Sequence, residues 1–220
     1  MNQRLKIFML MPYRGYLNSI YEEHIKKPLI SMGHKVTRAD DISKSTNILT
    51  DILDLTRRSD IIIADLTEKN PNVFYELGIA HEKGKWVIQI CQEGEKIPFD
   101  LAQIRTIFYR NTPDDLKILT EKIIRYIESY TKEQQIKDWI RNLKESKSFA
   151  DSIYFVSKLL KNEDFLTSEN IREIARATIN NYQIYNSAKL RNILPDFFKR
   201  HQDIIPNIIK DDMKYYGWIA

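Results

Sequence analysis

Three isoleucines in a row, Ile61 to Ile63, lie between Asp60 and the pair Ala64–Asp65. A short apolar run closed by charges predicts a central strand covered on both faces. Similar runs at Leu5–Met11, Lys35–Arg38, Trp86–Cys91 and Arg105–Tyr109 predict four more strands. Helical spacing fills the intervals. Tyr16–Met32 ends at Gly33, a residue suited to the left-handed position after a helix, and Pro28 is expected to kink or shorten it. Thr46–Arg58 carries Ile48, Leu49, Ile52 and Leu53 on one face, with Ser45 or Thr46 as N-cap. Pro71–Lys83 has proline near its first position and Gly84 just past its end. In "TPDDL" the N-cap is Thr112, followed by Pro113 and Asp115.

Strands alternating with helices predict an α/β fold, a five-stranded doubly wound parallel sheet. The expected order is the flavodoxin-like 2-1-3-4-5. Ligands of such sheets bind outside the carboxyl ends of the strands. Here those ends are Met11–Gly15, Asp40–Asp41, Asp65–Asn72 and Cys91–Pro98. From about Lys132 the strand signals stop, and "ADSIYFVSKLLKN", "TSENIREIARATINNY" and "SAKLRNILPDFFKRH" all have helical spacing. The chain therefore divides into an α/β domain, 1–132, and an α-helical C-terminal region, 133–220, with the helix from Pro113 able to run between them. The aromatics Trp139, Phe149, Tyr154, Phe155, Phe197 and Phe198 are expected in the helical core.

Composition narrows the chemistry. A single cysteine, Cys91, excludes an internal disulfide and a cysteine-based metal site. His24, His34, His81 and His201 have no zinc spacing, and no metal is expected. The net charge of +4 is spread over both halves rather than gathered on one element, so nucleic acid is not an expected partner. No apolar run is long enough for a bilayer and no cleavage signal opens the chain, so the expectation is a cytoplasmic protein with no membrane partner. "MPYRGY" has one glycine and is not a Walker-type phosphate loop. The sequence near strand one lacks the acidic cluster of a phospho-receiver, and Cys91 reads as a small core residue.

Two carboxylates remain. At 100° per residue, Val73, Leu77, Ala80 and Gly84 form the stripe of their helix that packs on the sheet. Glu76 lies about 70° from the middle of that stripe, at its edge, whereas Glu82 lies nearly opposite. Partial burial would raise the Glu76 pKa, and the nearby helix N-terminus would lower it. Asp65 ends strand three, where it serves either a turn or a ligand. Tyr75 and Ile79 face away from the sheet, as if covered by the tail or another subunit.

"MPYRG", "RADDI", "SDIIIADLT", "NPNVFYELGIAHEKGK" and "IPFDL" occur in this order over roughly residues 5–130. Together they resemble the nucleoside 2-deoxyribosyltransferase-like family, within the broader group that includes TIR domains. The resemblance implies cleavage or exchange of an N-glycosidic bond. It assigns the catalytic glutamate of "YELG" to Glu76, the aspartate that holds sugar hydroxyls or protonates the leaving base to Asp65, and the pocket aromatic to Tyr13. A substrate phosphate would need donors, for which the Asn70–Pro71–Asn72 helix start and Arg14 are candidates. Asp41, at the end of strand two, is a further substrate-binding candidate.

The short Asp65–Glu76 loop and the helical tail depart from the transferases, which complete their site from a neighbouring subunit. Hydrolysis is therefore expected over base exchange. No cofactor is expected. The TIR side implies NAD as a substrate and suits an immune-signalling effector acting as a homo-oligomer or with a partner protein through the tail. The alternative is a non-catalytic nucleotide-binding sensor or assembly module.

Overall fold

The computed structural model describes residues 4–39 and 48–219. By backbone contacts the chain divides into two units, Met1–Tyr130 and Thr131–Ala220.

The first unit is built on five parallel strands, β1 (Lys6–Leu10), β2 (Lys35–Arg38), β3 (Ile61–Asp65), β4 (Trp86–Gln92) and β5 (Thr106–Tyr109). Their order is β2-β1-β3-β4-β5, the doubly wound order expected. Alternation along the strands feeds two separate cores. Ile7 and Met9 of β1, Ile61 and Ile63 of β3 and Ile88 and Ile90 of β4 face one layer. That layer is closed by Leu17 and Ile20 of α1 (Gly15–Ile20) and by Leu116, Leu119, Ile123 and Ile127 of α5 (Pro113–Glu145). Phe8, Leu10, Ile62, Ala64 and Cys91 face the other, which receives Ile52 of α3 (Ile48–Arg58) and Val73, Leu77 and Ala80 of α4 (Pro71–Glu82). The three isoleucines of β3 are all buried because successive side chains enter opposite cores.

The helix expected at 16–32 is neither broken nor sharply ended at Pro28. Between α1 and α2 (Lys27–Ser31) the backbone widens into a π-helical stretch, Tyr21–Lys26, in which the Lys27 N–H reaches back to the Glu22 carbonyl. The cause is local. Proline has no N–H for the carbonyl four residues earlier, and its ring crowds that carbonyl. That residue is His24, and its carbonyl instead lies 2.7 Å from Thr120 Oγ1 of α5. Insertion of an extra residue into a helical turn is the usual relief for such a misfit.

α5 is 33 residues long and continues beyond Tyr130, so it supplies the first helix of the second unit. That unit is completed by α6 (Phe149–Leu160), α7 (Ser168–Asn180), α8 (Tyr182–Tyr185), α9 (Ala188–Arg200) and α10 (Asn207–Tyr215). The start of α7 is fixed by a reciprocal capping box between Thr167 and Asn170. Its core is its own: Ile140, Leu143, Val156, Ile174, Leu194, Phe197, Phe198 and Trp218 are buried together. Trp139 and Phe155 pack against this cluster, but Phe149 and Tyr154 are exposed, contrary to their expected place in the core. Among the described residues no helix is long and apolar enough to cross a membrane.

Candidate active site

The carboxyl ends of β1 and β3 are adjacent, with Met9 paired to Ile63 and Leu10 to Ala64. To one side of this pair lies β2 and to the other β4, so the point where the strand order reverses falls between them. Most of the candidate residues are at this point, but they fall into separate groups.

Asp65 is 2% exposed. One carboxylate oxygen accepts the Thr67 N–H at 3.0 Å and the Thr67 hydroxyl at 2.5 Å, and the other accepts the Tyr109 hydroxyl at 2.8 Å. Thr67 Oγ1 in turn accepts the Gln92 N–H at 3.1 Å. The side chain thus ties the turn after β3 to the ends of β4 and β5. Burial raises its pKa, opposed by the hydrogen bonds from Thr67 and Tyr109. Three donors occupy a group with about four acceptor positions. These bonds hold Asp65 in the turn and the strand-end network.

Glu76 is the opposite case. It stands in the second turn of α4, half-buried at the edge of the face that Val73, Leu77 and Ala80 bury. Phe74, on the other flank, is partly buried against the same core. Among the described residues no hydrogen bond or ion pair engages its carboxylate. Desolvation pushes its pKa up from 4.5 to about 7. No hydrogen bond joins Glu76 to Asp65. Asp65 shares its face of β3 with Ile61 and Ile63, while α4 covers the opposite face.

Arg14 donates from Nε to Glu68 Oε2 at 2.8 Å, and the Tyr16 hydroxyl donates to Glu68 Oε1 at 3.2 Å. This clasp joins the segment after β1 to the segment after β3. Glu68 and Lys69 both have positive φ, 64° and 50°. Asn70 caps α4 by accepting the Asn72 N–H at 2.9 Å, so its side-chain oxygen and that donor are committed to each other. Tyr13 is exposed, and its ring is 5.4 Å from the Arg38 guanidinium. Asp41 lies outside the described residues.

Two participants escaped the sequence reading. Arg38, at the end of β2, is buried, lies 4.9 Å from the Tyr21 ring and donates to Asn18 Oδ1 at 2.6 Å. A lone arginine ending a strand gave no signal for this. Nothing in the sequence singles out Glu68, because its partners are more than fifty residues earlier. Cys91 is buried, and burial pushes its thiol up to about 12, which suits a core residue. A cavity of about 440 Å³ lies against β5, lined by Ile97, Gln103, Arg105, Thr106 and Phe108, and includes none of the candidate residues.

No family model matches the chain, and no curated protein matches it. Among solved structures it is similar to the 2-deoxyribosyltransferase of Bacillus psychrosaccharolyticus, with 17% identity over 51% of this chain and 90% of that one and a TM-score of 0.42. It is similar to a 2-deoxyribosyltransferase from Leishmania mexicana, with 20% identity over 51% and 76% and a TM-score of 0.37. It is also similar to the Clostridium botulinum CMP N-glycosidase BcmB, with 17% identity over 55% and 99% and a TM-score of 0.40. At these identities and TM-scores the likeness is one of fold alone.

Proposed function

We propose that the first unit is an N-glycosidase that cleaves the base–sugar bond of a nucleotide-type substrate, with Glu76 as the carboxylate that meets C1′. One observation carries this reading: a half-buried carboxyl with no partner among the described residues, its pKa raised to about 7, in the second turn of the helix that follows β3. An unpaired, desolvated carboxylate has no evident structural use and is the kind of group that catalysis needs. When the C1′–N bond breaks, its electron pair leaves with the base and positive charge develops at C1′. The ionised Glu76 bonds to C1′ or holds it as an ion pair, and water then adds its hydroxyl to C1′ and its proton to the base. Asp65 is a positioning residue in this scheme. It holds Tyr109 and the Thr67 turn in place below the site rather than touching the sugar. Tyr13 offers a ring for the base, and Arg14 a guanidinium for a phosphate. Hydrolysis rather than exchange follows from the short loop between Asp65 and Glu76, which leaves little chain to cover a second base.

A second reading is favoured by the three donors that engage Asp65. An aspartate held in this way suits a nucleotide sensor that binds without turnover, with the helical unit as its surface for a partner or a second copy. The two readings separate on product release. Nucleosides, nucleoside 5′-monophosphates and NAD would be incubated with the protein at low and high concentration and the products chromatographed. Free base from one substrate, absent with Glu76→Gln, is the expected result. Nucleotide binding by calorimetry with no base released under any condition would establish the sensor instead.

A further inference from the structure

We propose that Glu68 is a specificity-determining gate at this site: its carboxylate holds, on Arg14 and Tyr16, the place that a phosphate of the substrate takes on binding. The proposal rests on the preceding reading for the substrate being a nucleotide.

The clasp spans the ends of the two central strands, since Arg14 and Tyr16 follow β1 and Glu68 follows β3. It thus crosses the place where the strand order reverses, which is where ligands of such sheets bind. The residue type at position 68 is not explained by its backbone. Two successive residues at positive φ form a conformation that glycine adopts freely and L side chains rarely do. A glutamate there makes sense through what its side chain reaches. That side chain is the internal anion for a guanidinium and a phenol hydroxyl, the donor set that also recognises a phosphomonoester.

The contact is built to be exchanged. The Arg14 and Glu68 side chains are 64% and 31% exposed, and ion pairs in water hold weakly. Arg14 holds the Glu68 carboxyl below its ordinary range, which favours the charged form. A phosphate of about two negative charges is the stronger partner for the same donors, and it cannot share them with an ionised carboxylate. Glu68 must leave when it arrives, which releases the strained turn immediately before α4, the helix that carries Glu76. An uncharged nucleoside has no group to displace Glu68 and gains nothing from Arg14.

The test is calorimetric titration with cytidine, adenosine and their 5′-monophosphates, using wild type, Glu68→Gln, Glu68→Gly and Arg14→Ala. Removing the competing carboxylate should tighten monophosphate binding roughly threefold to tenfold, the range expected from an exposed pair plus lost repulsion, and leave nucleoside binding unchanged. Glu68→Gly should do the same and raise the melting temperature, because it also relieves the positive φ. In Arg14→Ala the monophosphate should bind no better than the nucleoside. Monophosphate affinity that is unchanged or weaker in both Glu68 variants would overturn the gate, as would an equal gain for nucleoside and monophosphate. Binding is read apart from turnover. Selective tightening without base release would keep the gate and sink the glycosidase reading; base release indifferent to Glu68 would do the reverse. No binding to any variant would overturn both.

Discussion

Asp65 and Glu76 are eleven positions apart in the sequence and stand in opposite states. Asp65 is buried and engaged by Thr67 and Tyr109, while Glu76 is half-buried with no partner among the described residues. The sequence made the flank position of Glu76 legible, because a helix repeats every 100° and only one flank was open. It could not show the capture of Asp65, since the Tyr109 hydroxyl comes from 44 residues away. Each state has a consequence for stability. Glu76 titrates at 4.5 when solvated and about 7 when folded. The folded protein therefore holds its proton more tightly, and the cost of the charged form is absent below pH 4.5, grows through the interval and is complete above about 7. Glu76→Gln should raise the melting temperature above pH 7 by about 2–4 °C, the equivalent of about 1 kcal/mol in a chain of this size once screening by water is discounted. It should do nothing below pH 4.5. A loss of stability at high pH would show that Glu76 has a partner. Asp65→Ala should cost about 2–4 kcal/mol in urea unfolding, because it strands buried donors of Thr67 and Tyr109. Asp65→Asn, which keeps an acceptor, should cost less. Equal costs would contradict the network.

At the scale of elements the period-two alternation of the strands was plain in the sequence, and with it the doubly wound sheet. The order of strands and the two cores follow from Ile7, Met9, Ile61 and Ile63 facing one way and Phe8, Leu10 and Ile62 the other. The π-helical stretch was not legible. Pro28 announces a misfit, but its resolution depends on Thr120, 96 residues beyond His24. Thr120→Val should cost about 1 kcal/mol in urea unfolding, the value of a hydrogen bond to a buried carbonyl. The cost should shrink in a Pro28→Ala background, where residue 28 regains an N–H for His24. A Thr120→Val cost that is the same in both backgrounds would mean that the proline and the π-helical stretch are unrelated.

The whole molecule consists of two units, each with a core of its own residues. The change of character near residue 132 was visible as the end of strand signals, because a sheet and a helical bundle have different periods. What the helical unit does was not visible. Its amphipathic pattern reports only its own core, and Phe149 and Tyr154, which the pattern assigns inward, are exposed, as are Phe165, Tyr182 and Tyr215. The candidate residues Glu76, Asp65, Tyr13, Arg14 and Glu68 all belong to the first unit. The most direct measurement is the pH dependence of kcat/KM for base release over roughly pH 5.5 to 8.5, where a single essential carboxylate reports the free enzyme's titration. The account predicts a rate that rises through a midpoint at about 7, levels off above it and vanishes in Glu76→Gln. Base release that persists in Glu76→Gln, or that falls as pH rises through 7, would contradict it.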